Sequence, residues 1–276
     1  MASAAATAAT AATAAAVAPA GQWVAPSVAR LKAAAAAAVA AKGPQYDVVC
    51  SEAVAWLEKQ ADGSLPSVFA SIPDAAEMVT DKKLRFNREA YCDWFVATAR
   101  LMFRKTHPDA FVGMFATDRN WYTTKTRISK FGMYWEAAKA EGWDMAWHKI
   151  VPASPAQRGR PTFSHFVVFV RGSDGRVFGG VGDIVDAGAK SWPNATPAGP
   201  VSMFMDLLVD GQANRGVPSG VVDLFAGVGT IARAAQARRP MFEGIITAVE
   251  LDDERCDEIE RALEPATAAP VAALLQ

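Results

Sequence analysis

Between residues 221 and 236 the chain reads VVDLFAGVGTIARAAQ: an apolar run, two glycines separated by one residue, then a helix-forming stretch. Gly227 and Gly229 carry no side chain, so the backbone can turn tightly there and a ligand can approach it closely. A helix starting at Thr230 would point its free amides at a carboxylate or phosphate. Glu250 stands 21 residues after Gly229, at the end of the next apolar run. An acidic side chain at that point can accept hydrogen bonds from two ribose hydroxyls. A second cluster lies far upstream. Ser71-Ile72-Pro73-Asp74 closes another apolar run with a hydroxyl, a stiff turn and a carboxylate. That carboxylate could take a proton or hold a cationic or amino group. It could also start a helix at AAEM, with Glu77 completing a capping box.

Other residues join these two clusters as candidates. Trp147, His148 and Lys149 fall near an expected strand end, where His148 could orient a substrate. Trp192 in SWPNAT could stack on a base or anchor its own loop. DKKLRFNR (81–88), with Arg119, Lys125, Arg127, Lys130, Arg158 and Arg160, could contact phosphates or form a solvated face.

The elements that would position these groups are legible from periodicity. YDVVCS (46–51), SVFAS (67–71), AFVGMFAT (110–117), WDMAWHKIV, FSHFVVFVR, VVDLF and GIITAVEL read as strands. EAVAWLEKQ, NREAYCDWFVATARLMFRK (87–105), KTRISKFGMYWEAAKAEG (125–142), PVSMFMDLLVD and DERCDEIERALE read as helices. In the helix 87–105, Tyr91, Trp94, Phe95 and Met102 share one face with Thr98. Strands alternating with helices predict a doubly wound, mostly parallel α/β sheet. Residues 172–200 are rich in Gly and Pro and read as loop up to the helix PVSMFMDLLVD.

Bulk composition restricts the functions further. A chain of 276 residues with net charge −1 and 51% hydrophobic residues fits one large soluble domain with tails, and any basic surface must be local. No stretch has the length and aliphatic content of a membrane span. Cys50, Cys92 and Cys256 are far apart, without a CxxC pair, and the chain has three histidines. A disulfide framework and a Cys/His metal site are therefore not expected, and a reducing, intracellular compartment is. Residues 1–42 are mostly Ala with no Asp or Glu, which fits a low-complexity tail or an organellar (mitochondrial or plastid) transit segment. Without such targeting, the expected compartment is cytoplasm or nucleus.

The glycine pattern GVGTIA also fits a dinucleotide fingerprint, GxGxxG/A, so an oxidoreductase is one reading of it. The preceding Asp-Leu-Phe-Ala run, however, resembles motif I of S-adenosylmethionine-dependent methyltransferases, D-x-F-x-G-x-G. The rest of the chain is similar to the permuted (beta-group) amino-methyltransferases of DNA. VVCSEAVAWLEKQADGSLPSVFASIPD resembles their opening, AWHKIVPASPAQRGRPTFSHFVVFVR their strand pair, and SWPNATPAGPVSMFMDLL the segment leading into motif I. The resemblance spans about residues 46–264. It implies a Rossmann-like, seven-stranded class I methyltransferase fold, circularly permuted. The domain would cover 43–264, with tails 1–42 and 265–276.

What the resemblance implies for the site can be set out residue by residue. S-adenosylmethionine would be held by Asp223, Phe225, Ala226, Gly227, Gly229, Thr230, Glu250 and Leu251, with Glu52 facing the adenine amino group. Ser71-Ile72-Pro73-Asp74 falls on the catalytic tetrapeptide Asp/Asn/Ser-Pro-Pro-aromatic. Its first side chain and a backbone carbonyl would accept hydrogen bonds from the acceptor amine. Ser71, Pro73 and Asp74 would hold the acceptor, with Trp147, His148, Lys149 and Trp192 as further substrate contacts. Asp74 departs from the pattern, since the aromatic ring that stacks on an extruded base is missing. No metal is implied. The expected activity is methyl transfer to a nitrogen of nucleic acid. RNA stands slightly ahead of DNA, because about twenty residues between the strand pair and Trp192 leave no room for a target-recognition domain. A non-catalytic subunit or assembly factor of a ribonucleoprotein, and a dinucleotide-dependent oxidoreductase, are the alternatives.

Overall fold

A computed structural model describes residues 45–121, 123–153, 161–172, 182–190, 195–215, 218–238 and 241–263, without the side chains of 212–215. The segments 1–42 and 265–276, and the candidates Trp192, Arg158 and Arg160, lie outside the described residues. The chain begins with β1 (Tyr46–Cys50), α1 (Ala53–Glu58), β2 (Ser67–Ala70), a 3-10 turn (Ala75–Glu77), α2 (Lys82–Phe86) and α3 (Arg88–Lys105). Next come β3 (Val112–Ala116), a small hairpin of β4 (Arg119–Asn120) and β5 (Arg127–Ile128), α4 (Lys130–Ala140), β6 (Asp144–Pro152) and β7 (Phe163–Val170). It continues through α5 (Ala198–Arg215), β8 (Gly220–Leu224), α6 (Thr230–Ala237), β9 (Ile245–Glu250) and α7 (Asp253–Leu263).

Seven strands form one sheet in the order β1-β9-β8-β2-β3-β7-β6. Only β7 runs against the others. β2, β3 and β8 are buried at every residue, as continuous apolar runs covered by helices on both faces require. One face packs Tyr91, Phe95, Phe103, Tyr134 and Trp143, from α3, α4 and the start of β6, against the sheet. The other buries Phe204 and Leu208 of α5 with Ile231 of α6 and Ile259 of α7. The alternation of strands and helices read from the sequence is therefore present.

Two expectations are corrected. The helix expected from 125 starts at Lys130, because Arg127 and Ile128 pair with Arg119 and Asn120 and the Ser129 hydroxyl caps the helix at the Gly132 amide. The expectation that no cysteines pair also fails: Cys50 and Cys256 are joined as a disulfide, their Cα atoms 6.0 Å apart. Sequence spacing hid this pairing, because the first strand and the last helix meet only through the fold.

Candidate active site

The glycine turn, Glu250 and the Ser71–Asp74 loop all leave the same edge of the sheet. Ala70 is level with Leu224, Leu224 with Val249, and Cys50 with Glu250, on parallel neighbouring strands. In an open α/β sheet this carboxyl edge is where ligands bind. β8 stops in a turn with Phe225, Gly227 and Gly229 all at positive φ (61°, 58° and 71°). The Ala226 amide donates to the Val249 carbonyl at 3.0 Å, anchoring the turn to β9. The two glycines serve different ends. A Cβ on Gly229 would lie 2.9 Å from Ile259 Cγ1, so Gly229 lets α6 pack against α7. A Cβ on Gly227 would meet nothing within 4 Å, so open space borders the backbone there. Thr230 then opens α6, whose N-terminus faces this edge.

Glu250 lies across the turn. One carboxylate oxygen accepts the Gly227 amide at 2.6 Å and the other the Asp252 amide at 3.2 Å. Ionised, a carboxylate can accept about four hydrogen bonds, so two remain for a ligand. Asp223 sits below it, fully buried. Burial first, and the Glu250 charge second, push its carboxyl up to about 8, although the Ile231 amide opposes this. Leu251, the residue after Glu250, is 60% exposed. Glu52 caps α1, accepting the Val54 and Ala55 amides at 3.0 and 2.7 Å, on the strand end next to Glu250.

The Ser71–Asp74 loop is clamped from α3 and α4. The Ile72 amide donates to the Tyr134 hydroxyl at 3.2 Å, and the Tyr91 hydroxyl donates to the Pro73 carbonyl at 2.9 Å. Burial raises both phenols well above their ordinary range, so both stay protonated. The Lys130 ammonium, 5% exposed, donates to the Ile72 carbonyl at 2.6 Å and to Asp74 Oδ1 at 2.9 Å. Arg119 pairs with Asp74 Oδ2 at 2.9 Å. The Asp74 amide donates to Glu77 at 2.7 Å, and the expected capping box stands at the head of a 3-10 turn. Ser71 is half-buried at the loop's entry. The expectation that Lys130 belongs to a phosphate-contacting surface is corrected: it is a buried cation at the start of α4, bonded to the Ser71–Asp74 loop.

Of Trp147, His148 and Lys149, two are brought together: the Lys149 ammonium lies 5.8 Å from the centroid of the Trp147 ring. The Trp147 ring is buried against Phe166, and the Lys149 ammonium pairs with Asp183 at 3.3 Å. His148 stands in a group that sequence reasoning missed. Its Nε2 is 2.9 Å from Nδ1 of His165, both rings stack on Phe131, and His165 Nε2 is 3.7 Å from Asp118. The signal was available, since two of the chain's three histidines lie on adjoining strands. Lys130, Tyr91 and Tyr134 gave no such signal, because a lysine or tyrosine inside an amphipathic helix reads as ordinary.

No protein-family model matches the chain, and no curated protein matches it in sequence. Solved structures do resemble it. PvuII DNA methyltransferase (cytosine-N4-specific) superposes with a TM-score of 0.60 at 14% identity, over 82% of this chain and 90% of that one. A Thermus thermophilus protein described as a DNA modification methylase gives 0.56 at 17% identity, over 80% and 96% of the two chains. Its complex with S-adenosyl-L-methionine gives 0.53 at 15% identity, over 79% and 95%. The fold is that of a class I, Rossmann-like methyltransferase. In the sheet order the glycine turn ends β8, the third of the seven strands, and the Ser71–Asp74 loop follows β2, the middle one. Among the described residues no helix is long and apolar enough to cross a membrane, and no cluster of three His, Cys, Asp or Glu could hold a metal ion.

Proposed function

We propose that the chain is an S-adenosylmethionine-dependent methyltransferase acting on a nitrogen of a nucleic-acid base. The observation that carries this reading is a pair of carboxylates, Asp223 and Glu250, beneath an open glycine turn. A pyrophosphate seated there would meet two acidic groups; an amino or sulfonium cation would be drawn to them. The residues fit the cofactor in other respects. Glu250 keeps two acceptor positions for ribose hydroxyls, and Leu251 offers exposed apolar surface beside it for a nucleobase. Bound S-adenosylmethionine would supply a methyl group made electrophilic by its sulfonium. This chain's part is then positioning, with the clamped Ser71–Asp74 loop holding the acceptor at the neighbouring strand end. The neighbours' own descriptions as DNA-modifying enzymes move DNA ahead of the RNA favoured from sequence. We read the strand order, with β1 beside β9, as a circular permutation within a domain spanning 43–264.

Calorimetry with S-adenosylmethionine and its demethylated product tests the proposal. Glu250→Ala removes hydrogen bonds to a charged acceptor, about 1.5–3 kcal/mol, and should weaken binding roughly 10- to 100-fold. If the wild-type protein binds neither compound, the cofactor assignment is wrong; NADH binding instead would favour an oxidoreductase. Cofactor binding without methylated nucleosides, read by mass spectrometry on DNA and RNA, would favour a non-catalytic subunit.

A further inference from the structure

The pairing of Cys50 with Cys256 lies at the same edge of the sheet as the glycine turn, outside the chemistry of methyl transfer. Cys50 ends β1, level with Glu250 on β9, and is exposed. Cys256 stands in the first turn of α7 and is 1% exposed. The Glu250 backbone lies between them. Its carbonyl accepts the Ser51 amide at 2.8 Å, and Cys256 Sγ is 3.6 Å from the same oxygen. The Glu250 carboxylate reaches the other way, to the Gly227 amide. The disulfide thus ties the end of β1, where Glu52 caps α1, to the start of α7, with Glu250 held between.

We propose that Cys50 and Cys256 form a thiol-exchange site whose state sets how firmly this edge holds its ligand. That the ligand is S-adenosylmethionine rests on the methyl-transfer reading. The co-reactant is a dithiol, and access decides where it attacks. Its thiolate meets the exposed Cys50 sulfur; a new S–S bond forms there as the Cys50–Cys256 bond breaks. The electron pair leaves on Cys256 sulfur, which takes a proton. The second thiolate of the dithiol then attacks the mixed disulfide, closing the reagent's own disulfide, and Cys50 leaves as a thiolate that is protonated. Two electrons have passed to the pair, and an oxidised dithiol reverses the sequence. The two ends fare differently once opened. The Cys256 thiol can donate to the Glu250 carbonyl beside it, so α7 keeps a tie to β9. The Cys50 thiol faces water, so the end of β1 loosens while the glycine turn keeps its bond to Glu250. A ligand must then order that end as it binds, which costs affinity.

The full chain can be compared before and after treatment with dithiothreitol. Alkylation under denaturant, read by peptide mass spectrometry, should find Cys50 and Cys256 blocked before treatment and labelled after it. Amide hydrogen exchange should quicken on reduction from Cys50 through Ala55 and stay unchanged in the Ser71–Asp74 loop. By calorimetry the reduced protein should bind S-adenosylmethionine about five- to tenfold more weakly, the scale of one hydrogen bond. Cys50→Ser should match the reduced wild type and ignore the dithiol, whereas Cys92→Ser, which changes the unpaired cysteine, should keep the full response. The melting temperature should also fall, since the bond joins residues 206 apart. A lower melting temperature with equal affinity in the two forms would mark a purely structural bond and overturn the proposal. Free Cys50 and Cys256 in untreated protein from aerated buffer overturn it too, as does a dithiol response that survives in Cys50→Ser. A chain that binds no cofactor in either form defeats the methyl-transfer reading instead, and the exchange comparison then decides the thiol site alone.

Discussion

Asp223 has the clearest pH signature of any single residue. Its carboxyl ionises at about 8 in the folded protein, against 3.8 when free, so between these values the folded chain holds a proton that the unfolded chain has lost. Stability from this group therefore falls as pH rises from about 4 to about 8 and is flat above that. The same proton reports on the ligand. A cation arriving at the turn favours the ionised carboxylate, so binding below pH 8 should expel a proton and affinity should rise with pH up to about 8. Calorimetry in two buffers of different ionisation enthalpy reads the proton count. Asp223→Asn should abolish both the proton release and the pH slope of stability. Proton uptake on binding would mark an anionic ligand group and point away from S-adenosylmethionine.

At the scale of elements, α4 touches the Ser71–Asp74 loop and the pair His148–His165 through consecutive residues, Lys130 and Phe131. Lys130→Met leaves the Ile72 carbonyl without its ammonium donor and Asp74 with Arg119 alone. We expect a loss of about 1–3 kcal/mol in chemical denaturation and a larger fold-loss in turnover than in cofactor affinity. Equal stability and turnover would show that the clamp is dispensable. An aromatic residue at 74 would leave Lys130 without its carboxylate partner. The contrast between turn and clamp explains what was legible in the sequence. The glycine turn, Glu250 and the strand ends are local: small residues, continuous apolar runs and short spacing announce them. The clamp joins residues 72 and 130, and the histidine group joins 118, 148 and 165, across strands whose order no local pattern encodes. The α4 start was missed for a similar reason, since a two-residue hairpin strand has no periodicity to read.

For the whole molecule, a net charge of −1 conceals a local run of basic residues. Lys82, Lys83 and Arg85 lie on α2 and Arg88 opens α3, eight or more residues past Asp74, with Phe86 59% exposed among them. Under the proposed function this run should meet phosphates. Lys82→Glu with Lys83→Glu should weaken binding to a DNA duplex at least tenfold by fluorescence anisotropy. The salt slope should fall by about one for each phosphate that is no longer neutralised. Unchanged affinity and slope would place the nucleic acid elsewhere. The fold as a whole was more legible than its site, because the alternation of apolar runs and amphipathic helices sufficed to predict a parallel α/β sheet.

The strand order also governs how the molecule can come into being. Tyr46 of β1 pairs with Ile246 of β9, 200 residues later, and among the described residues β9 is the only neighbour β1 has in the sheet. During synthesis, β2 and β3 can associate early, but β1 must wait for nearly all the intervening chain to be made. Pairings of such long sequence separation close slowly, since the intervening chain must be ordered before the pairing rewards it. Cys50 and Glu250 come level only in that last step, so the edge that would bind the ligand is the last part of the sheet to exist. A nascent or truncated chain would therefore carry the Ser71–Asp74 loop without the Glu250 edge beside β1, which under the proposed function ties competence for chemistry to completion of the sheet.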